Sequence, residues 1–278
     1  MKRHRWPLYS ALAFGYAFLY LPVLLLIVYS FNESRLVTVW SGFSFKWYRE
    51  LLHNRQLLEA AWLSVRIAAV NATFAVALGT LAANALVRHG RFRARTGFEL
   101  LLTAPLVMPD VIIGLSLLLL FVALEQLLGW PTGRGFTTIT IAHITLSLAY
   151  VAVVVRARLS QMDRSLEEAA MDLGAPPLTV YLRITLPLIA PALLSGWLLA
   201  FTLSLDDLVI ASFVSGPGAT TLPMVVYSSV RMGVSPQINA LATLIVLFIA
   251  VVVTIATLAL TIKGRAEPPR TMKCRLDP

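Results

Sequence analysis

Six long apolar stretches limit what this chain can fold into, at about 8–31, 67–87, 100–124, 138–155, 188–213 and 238–262, with short polar connections between them. Each is long enough for a helix to cross a bilayer core, which takes roughly 20 residues. Inside lipid every backbone N–H and C=O must find its partner within the segment, so single runs of this kind become helices. The expected fold class is therefore all-α: a polytopic membrane bundle of six transmembrane helices. Composition agrees, with 58% hydrophobic and 13% charged residues and a mean hydropathy of +0.78, where soluble domains carry about a quarter charged residues. No Ser/Gly-rich linker divides the chain, so a single membrane domain over 1–278 is expected. Lys2, Arg3 and Arg5 ahead of the first stretch resemble the start of a signal peptide. The apolar run is too long for one and lacks a small-residue cleavage site, so a retained span is expected.

Lys and Arg outnumber Asp and Glu, 23 to 14. Because the basic residues lie between apolar runs, they speak for topology and not for nucleic-acid binding. The N-terminal tail, 88–95, 156–183 and the tail from Lys263 hold sixteen of them, and the alternate connections hold six. Positively charged loops stay in the cytoplasm, which puts both termini there. Trp40, Trp47, Tyr48, Trp62 and Trp130 sit in or beside the opposite connections, where amphipathic rings serve as membrane anchors. Cys274 is the only cysteine, so no intramolecular disulfide can form. His4, His53, His89 and His143 are scattered, and no metal site is expected. Phosphate-loop, zinc-protease and nucleophile-elbow patterns are absent, so no catalytic residue and no cofactor of the chain's own are expected.

The longest cytoplasmic connection, 156–187, is too short for an ATPase fold but carries a strong local pattern. Ser165 and Glu168 have capping-box spacing, Leu166, Ala169, Ala170 and Leu173 fall at i, i+3, i+4 and i+7, and Gly174 can close the helix. These positions predict an amphipathic helix of about two turns. Pro176 and Pro177 stop it, and a second helical stretch through Tyr181 and Ile184 reaches Pro187 at the foot of the fifth stretch. A stripe of small apolar residues edged by Glu167, Glu168 and Asp172 suits a groove on a partner protein. A helix lying flat on the membrane is the alternative, and the acidic edge weighs against it because anionic headgroups repel carboxylates.

Glu168-Ala169-Ala170, then Gly174, then Ile184 and Leu186-Pro187 resembles the EAA loop of binding-protein-dependent ABC importer permeases. Ala104 to Asp110, Ser204 to Val209 and Ser215 to Gly218 resemble the polyamine branch of that family, the permeases of bacterial putrescine importers. The resemblance implies a type I importer (MetI-like) bundle in the bacterial inner membrane. It implies that Glu168, Ala169, Ala170, Asp172, Gly174, Ile184, Leu186 and Pro187 couple the spans to a cytoplasmic ATPase. It further implies a second, related permease, two ATPase subunits holding ATP and Mg, and a periplasmic polyamine-binding protein, with alternating access driven by ATP.

Charge placement bears on the cargo independently. Asp110, Asp206 and Asp207 are the carboxylates well inside expected spans, and no Lys or Arg lies as deep. A carboxylate at a helix centre costs about 2.5 kcal/mol or more and normally faces water or a partner. An unneutralised negative field suits a cation. Asp206 or Asp207 and then Asp110 are expected to form successive stations for a diammonium chain, with Tyr150, Trp197 and Phe201 offering aromatic faces along the path. Competing assignments for the acids are protonation, pairing with Arg66 or Arg231, or capping a helix broken near Pro105 and Pro109. Other cargoes consistent with the loop are an amino acid, thiamine or a ferric complex. A proton-coupled carrier with acidic relays is the alternative from a different class. The segment 216–236 reads as a short helix, re-entrant piece or loop, with Ser235-Pro236 opening the sixth stretch.

Overall fold

The computed structural model describes residues 6–35, 39–88, 92–232 and 236–265. Lys2, Arg3, Arg5, His4, His89, Ser235 and the tail with Cys274 lie outside them. Among the described residues the chain is helical throughout, with no strand beyond an isolated bridge between Asn32 and Phe43. The helices are α1 (Trp6–Tyr29), α2 (Lys46–His53), α3 (Arg55–Arg88), α4 (Arg95–Thr103), α5 (Asp110–Leu128), α6 (Phe136–Gln161), α7 (Ser165–Asp172), α8 (Pro177–Val180), α9 (Leu186–Asp206), α10 (Val209–Val214), α11 (Leu222–Met232) and α12 (Pro236–Arg265).

The all-α class is as expected, and the span boundaries differ in instructive ways. Five helical runs are long and apolar enough to cross a membrane: 9–29, α3, α5, α6 and Pro177–Asp206. The sixth expected span falls in α12, whose Pro236–Leu247 portion is apolar. The second begins at Arg55 and not at 67, because hydropathy marks the lipid-matched part of a helix and not where its backbone bonding starts. The third is divided: α4 ends, a 3-10 turn Ala104–Leu106 follows, and α5 starts at Asp110. The fifth starts at Pro177 and not at 188, and stops at Asp206, with α10 separate beyond it.

Contacts group the chain into two compact units, 55–228 and the two flanking segments 1–54 with 229–278. In the first unit α3, α6 and α9 pack together along much of their length. Association in lipid lacks a hydrophobic drive between helices, so close approach through small residues matters. Ala72, Ala75, Ala83 and Ala200 are fully buried against Val151, Val155, Leu159 and Ile189. A Cβ on Gly79 would stand 2.9 Å from Val151 Cγ1, and one on Gly196 would stand 3.3 Å from the same atom. Val151 thus occupies space that two glycines leave open. Asn71, fully buried in α3, donates to Ser147 Oγ at 3.1 Å and to the Ala200 carbonyl at 2.9 Å, joining the three helices by one amide. A second cluster of Ile67, Ile113, Phe121, Ile139, Ala142, Ile210 and Val214 adds α5 and α10.

In the second unit α12 packs against α1 and α2. Gln237 accepts from Asn54 Nδ2 at 3.0 Å and donates to Glu50 at 3.0 Å. Trp47 is only 3% exposed, and its Nε1 donates to the Asn32 carbonyl at 2.6 Å. It is a packing residue and not the membrane anchor expected from its place in the sequence, because a folded-back connection covers it. Tyr48 joins Phe31 and Phe45 in an aromatic cluster, with its hydroxyl 2.6 Å from Ser30 Oγ. Trp40, Trp62 and Trp130 stay exposed, as anchors should.

Candidate functional site

The loop after α6 folds as its spacing predicts, with one change at the start. Arg164, at the N-cap, has helical dihedrals and Ser165 lies inside the helix, so the expected Ser165–Glu168 box does not form. Asp163 Oδ1 takes its place, accepting the Ser165 N–H at 3.0 Å. Bonds from the Ser165 backbone and hydroxyl hold the Asp163 carboxyl below the usual carboxylate range. At the other end Gly174 has φ +86°, where a side chain would be strained. Its N–H reaches the Met171 carbonyl at 2.9 Å, and that of Ala175 reaches Ala170 at 3.1 Å, which ends α7.

Past Pro176 the chain is helical without a break through Pro177–Asp206, with a π segment at Tyr181–Thr185. Pro187 lacks an N–H and crowds the carbonyl four residues back, and the wider π turn accommodates it. Ile184 lies in that segment, and Leu186 and Pro187 open α9. No residue of α7 is buried. Glu168, Ala169 and Asp172 are exposed, as is Gly174, and Ala170 is half-buried. Leu166 is 50% and Leu173 89% exposed, so the apolar stripe faces away from the rest of the chain. Glu167 departs from the expected acidic edge. It turns inward, where Oε1 accepts from Arg88 Nη2 at 2.9 Å and from Thr185 Oγ1 at 2.6 Å.

At the far end of α9 lies the second candidate site. Asp207 leaves the helix with ψ 123°, and after Leu208 the chain re-enters a helix as α10. The carboxylate of Asp207 accepts the N–H groups of Ala211 at 2.7 Å and Ile210 at 3.3 Å, capping α10. It also faces His143 Nε2 at 3.1 Å, while His143 Nδ1 lies 2.6 Å from Ser204 Oγ. The His143 and Asp207 side chains are 2% and 10% exposed. A carboxylate only accepts, so with Asp207 ionised Nε2 carries the proton.

Residues 75–265 match the family model described as binding-protein-dependent transport system inner membrane component. The chain belongs to this family. It is 63% identical over 259 residues to the putrescine transport system permease protein PotI of Escherichia coli (strain K12), covering 93% of this chain and 91% of that one. The spermidine/putrescine transport system permease protein PotC of the same strain is 46% identical over 242 residues, 87% of this chain and 89% of that one. A bacterial ABC transporter importing the acidic polysaccharide alginate shares the fold at 17% identity, with a TM-score of 0.71 over 94% of this chain and 98% of that one. An amino acid ABC transporter crystallised with histidines does so at 19% identity and a TM-score of 0.52, over 79% and 98%. The chain is therefore an ABC importer permease, a multi-pass component of the inner membrane.

Within the permease the expected site residues fall into three settings. The loop residues Glu168 to Pro187 form one continuous feature at one end of α9. Asp207 is engaged by α10 and His143, while Asp206, the last residue of α9, is exposed. Asp110 is exposed in the first turn of α5, where its charge complements the helix N-terminus without a capping bond. Trp197 and Phe201 stack with centroids 5.2 Å apart, half-buried against the α3–α6–α9 core, and Trp197 Nε1 donates to Thr73 at 3.3 Å. Tyr150 is half-buried on α6. Sequence reasoning missed Arg88, Thr185 and His143. His143 stands 64 residues from Asp207, and no local period connects them.

Proposed function

We propose that this permease is the pore-forming subunit of an ATP-driven importer that moves putrescine or a related polyamine from periplasm to cytoplasm. The observation that carries the reading is α7: a two-turn helix whose small and acidic residues Glu168, Ala169 and Asp172 face outward, in the spacing of an ATPase-coupling loop. The name and 63% identity of the E. coli putrescine permease support the cargo. So do the exposed carboxylates of Asp110 and Asp206, which give ammonium groups charged places to rest. Glu168, Ala169, Ala170, Asp172 and Gly174 seat in a cleft of the ATPase, and Ile184, Leu186 and Pro187 carry its movement into α9. Alternating access follows from closure of an ATPase pair that binds ATP and Mg. This chain supplies no cofactor and no catalysis, pairs with a second permease and receives cargo from a periplasmic binding protein. Both termini are cytoplasmic.

The test is uptake of labelled putrescine into vesicles holding the whole complex, with ATP supplied on the ATPase side and with cadaverine and spermidine as competitors. ATP-dependent uptake competed by diamines is expected. Uptake by vesicles with this chain alone, driven by a proton gradient, would overturn the reading in favour of a secondary carrier. ATP-dependent uptake indifferent to all three amines would leave the permease and reassign its cargo.

A further inference from the structure

Adjacent helical residues point about 100° apart, so of the consecutive acids Glu167 and Glu168 only one can face a docked partner. Glu168 is the exposed one. Glu167 is 14% exposed and its Arg88 partner 12%, which separates this ion pair from the solvent-screened pairs that contribute little. The pair has a third member, since Thr185 Oγ1 donates to the same Oε1 that Arg88 binds. Thr185 is 2% exposed. Three elements therefore meet on one carboxylate oxygen: the last residue of α3, the first turn of α7 and the last residue of the π segment that leads into α9.

What surrounds this node defines its use. Covalently, α7 hangs between Met162–Arg164 on one side and Leu173–Pro176 on the other. Among the described residues Glu167 is the one α7 side chain with a hydrogen bond to another helix. A cavity of about 230 Å³ opens at the node, with Glu167, Arg88 and Thr185 themselves in its lining beside Asn84, Arg164 and Tyr181. Removing one partner of such a pair leaves the other charge half-buried without compensation.

We propose that Glu167 is a positioning residue that fastens α7 to the ends of α3 and α9, so that a displacement of α7 reaches both helices together. The proposal rests on α7 being the ATPase-coupling helix. Without the bond, α7 swivels on its two connections: nucleotide is hydrolysed, and less of the movement reaches the bundle.

The experiment measures putrescine taken up per ATP hydrolysed by the complete transporter in vesicles. Co-purification of the ATPase subunits serves as the check on assembly. Glu167→Ala and Arg88→Ala are each expected to lower uptake per ATP about tenfold while the ATPase still co-purifies, and the double variant should be no worse than either single one, as for residues sharing one interaction. Thr185→Val should lower the ratio and Thr185→Ser should restore it. Glu167→Gln keeps the shape without the charge, and should lower the ratio even where the alanine variant accumulates poorly. An unchanged ratio in Glu167→Gln and Arg88→Ala, or losses that multiply in the double variant, would overturn the proposal. Ala169→Arg separates this from failure of the parent reading: it places bulk and charge on the outward face and should release the ATPase. If the ATPase stays bound and active with Ala169→Arg, α7 is not the coupling helix at all.

Discussion

Two of the membrane helices are interrupted, and the two interruptions are made in different ways. Between α4 and α5 the cause is covalent. Pro105 and Pro109 remove backbone donors, Pro109 sits extended at φ −60° and ψ 137°, and Val107 and Met108 both turn back to the Ala104 carbonyl. Between α9 and α10 there is neither proline nor glycine. There the break at Asp207 is held from outside the segment by His143, with Ser204 behind it, and from within by the N–H groups of α10. A proline break needs nothing from its neighbouring acid, so Asp110 is left exposed. A break without proline uses its acid as the fastening, so Asp207 is occupied and Asp206 is the acid left facing outward.

Asp207→Ala should break this contrast most severely. It strips two N–H groups and a buried imidazole of their acceptor, and a loss of about 3 kcal/mol or more is expected in denaturant unfolding of the purified permease. His143→Ala comes next, at about 2 kcal/mol, because Asp207 keeps its bonds to α10. A loss in His143→Ala equal to that in Asp207→Ala would show that the imidazole, and not the cap, holds the break. Asp206→Asn and Asp110→Asn should leave stability within about 0.5 kcal/mol, as exposed substitutions do. Both should nonetheless lower putrescine uptake, and unchanged uptake in both would remove the exposed acids from the transport path. The smallest effect is expected for Pro109→Ala. Pro105 and the Ala104 carbonyl still close the turn, so helix content measured by circular dichroism should not rise.

Local spacing made α7 and its Gly174 stop legible, because a helix of two turns is specified by residues within reach of one another. The same holds for the broken third span, whose prolines announce themselves. The position of the α7 cap was not legible, since Asp163 and Ser165 are both good capping residues two positions apart. Which of Glu167 and Glu168 turns inward depended on Arg88, 79 residues away. Trp47 looked like an interfacial ring because its neighbours in sequence are polar, yet the Asn32 carbonyl and a folded connection enclose it.

By itself the sequence determined the kind of elements: apolar length demands helices in lipid, prolines interrupt them, and one short amphipathic helix follows the fourth apolar stretch. Tertiary structure alone decided which charges are free. A carboxylate's role depends on the donors within about 3 Å of it, and for Asp207 and Glu167 those donors include His143 and Arg88, carried on helices far away in the chain. Period and hydropathy act over a few turns, whereas burial and pairing are settled only when α3, α6 and α9 pack.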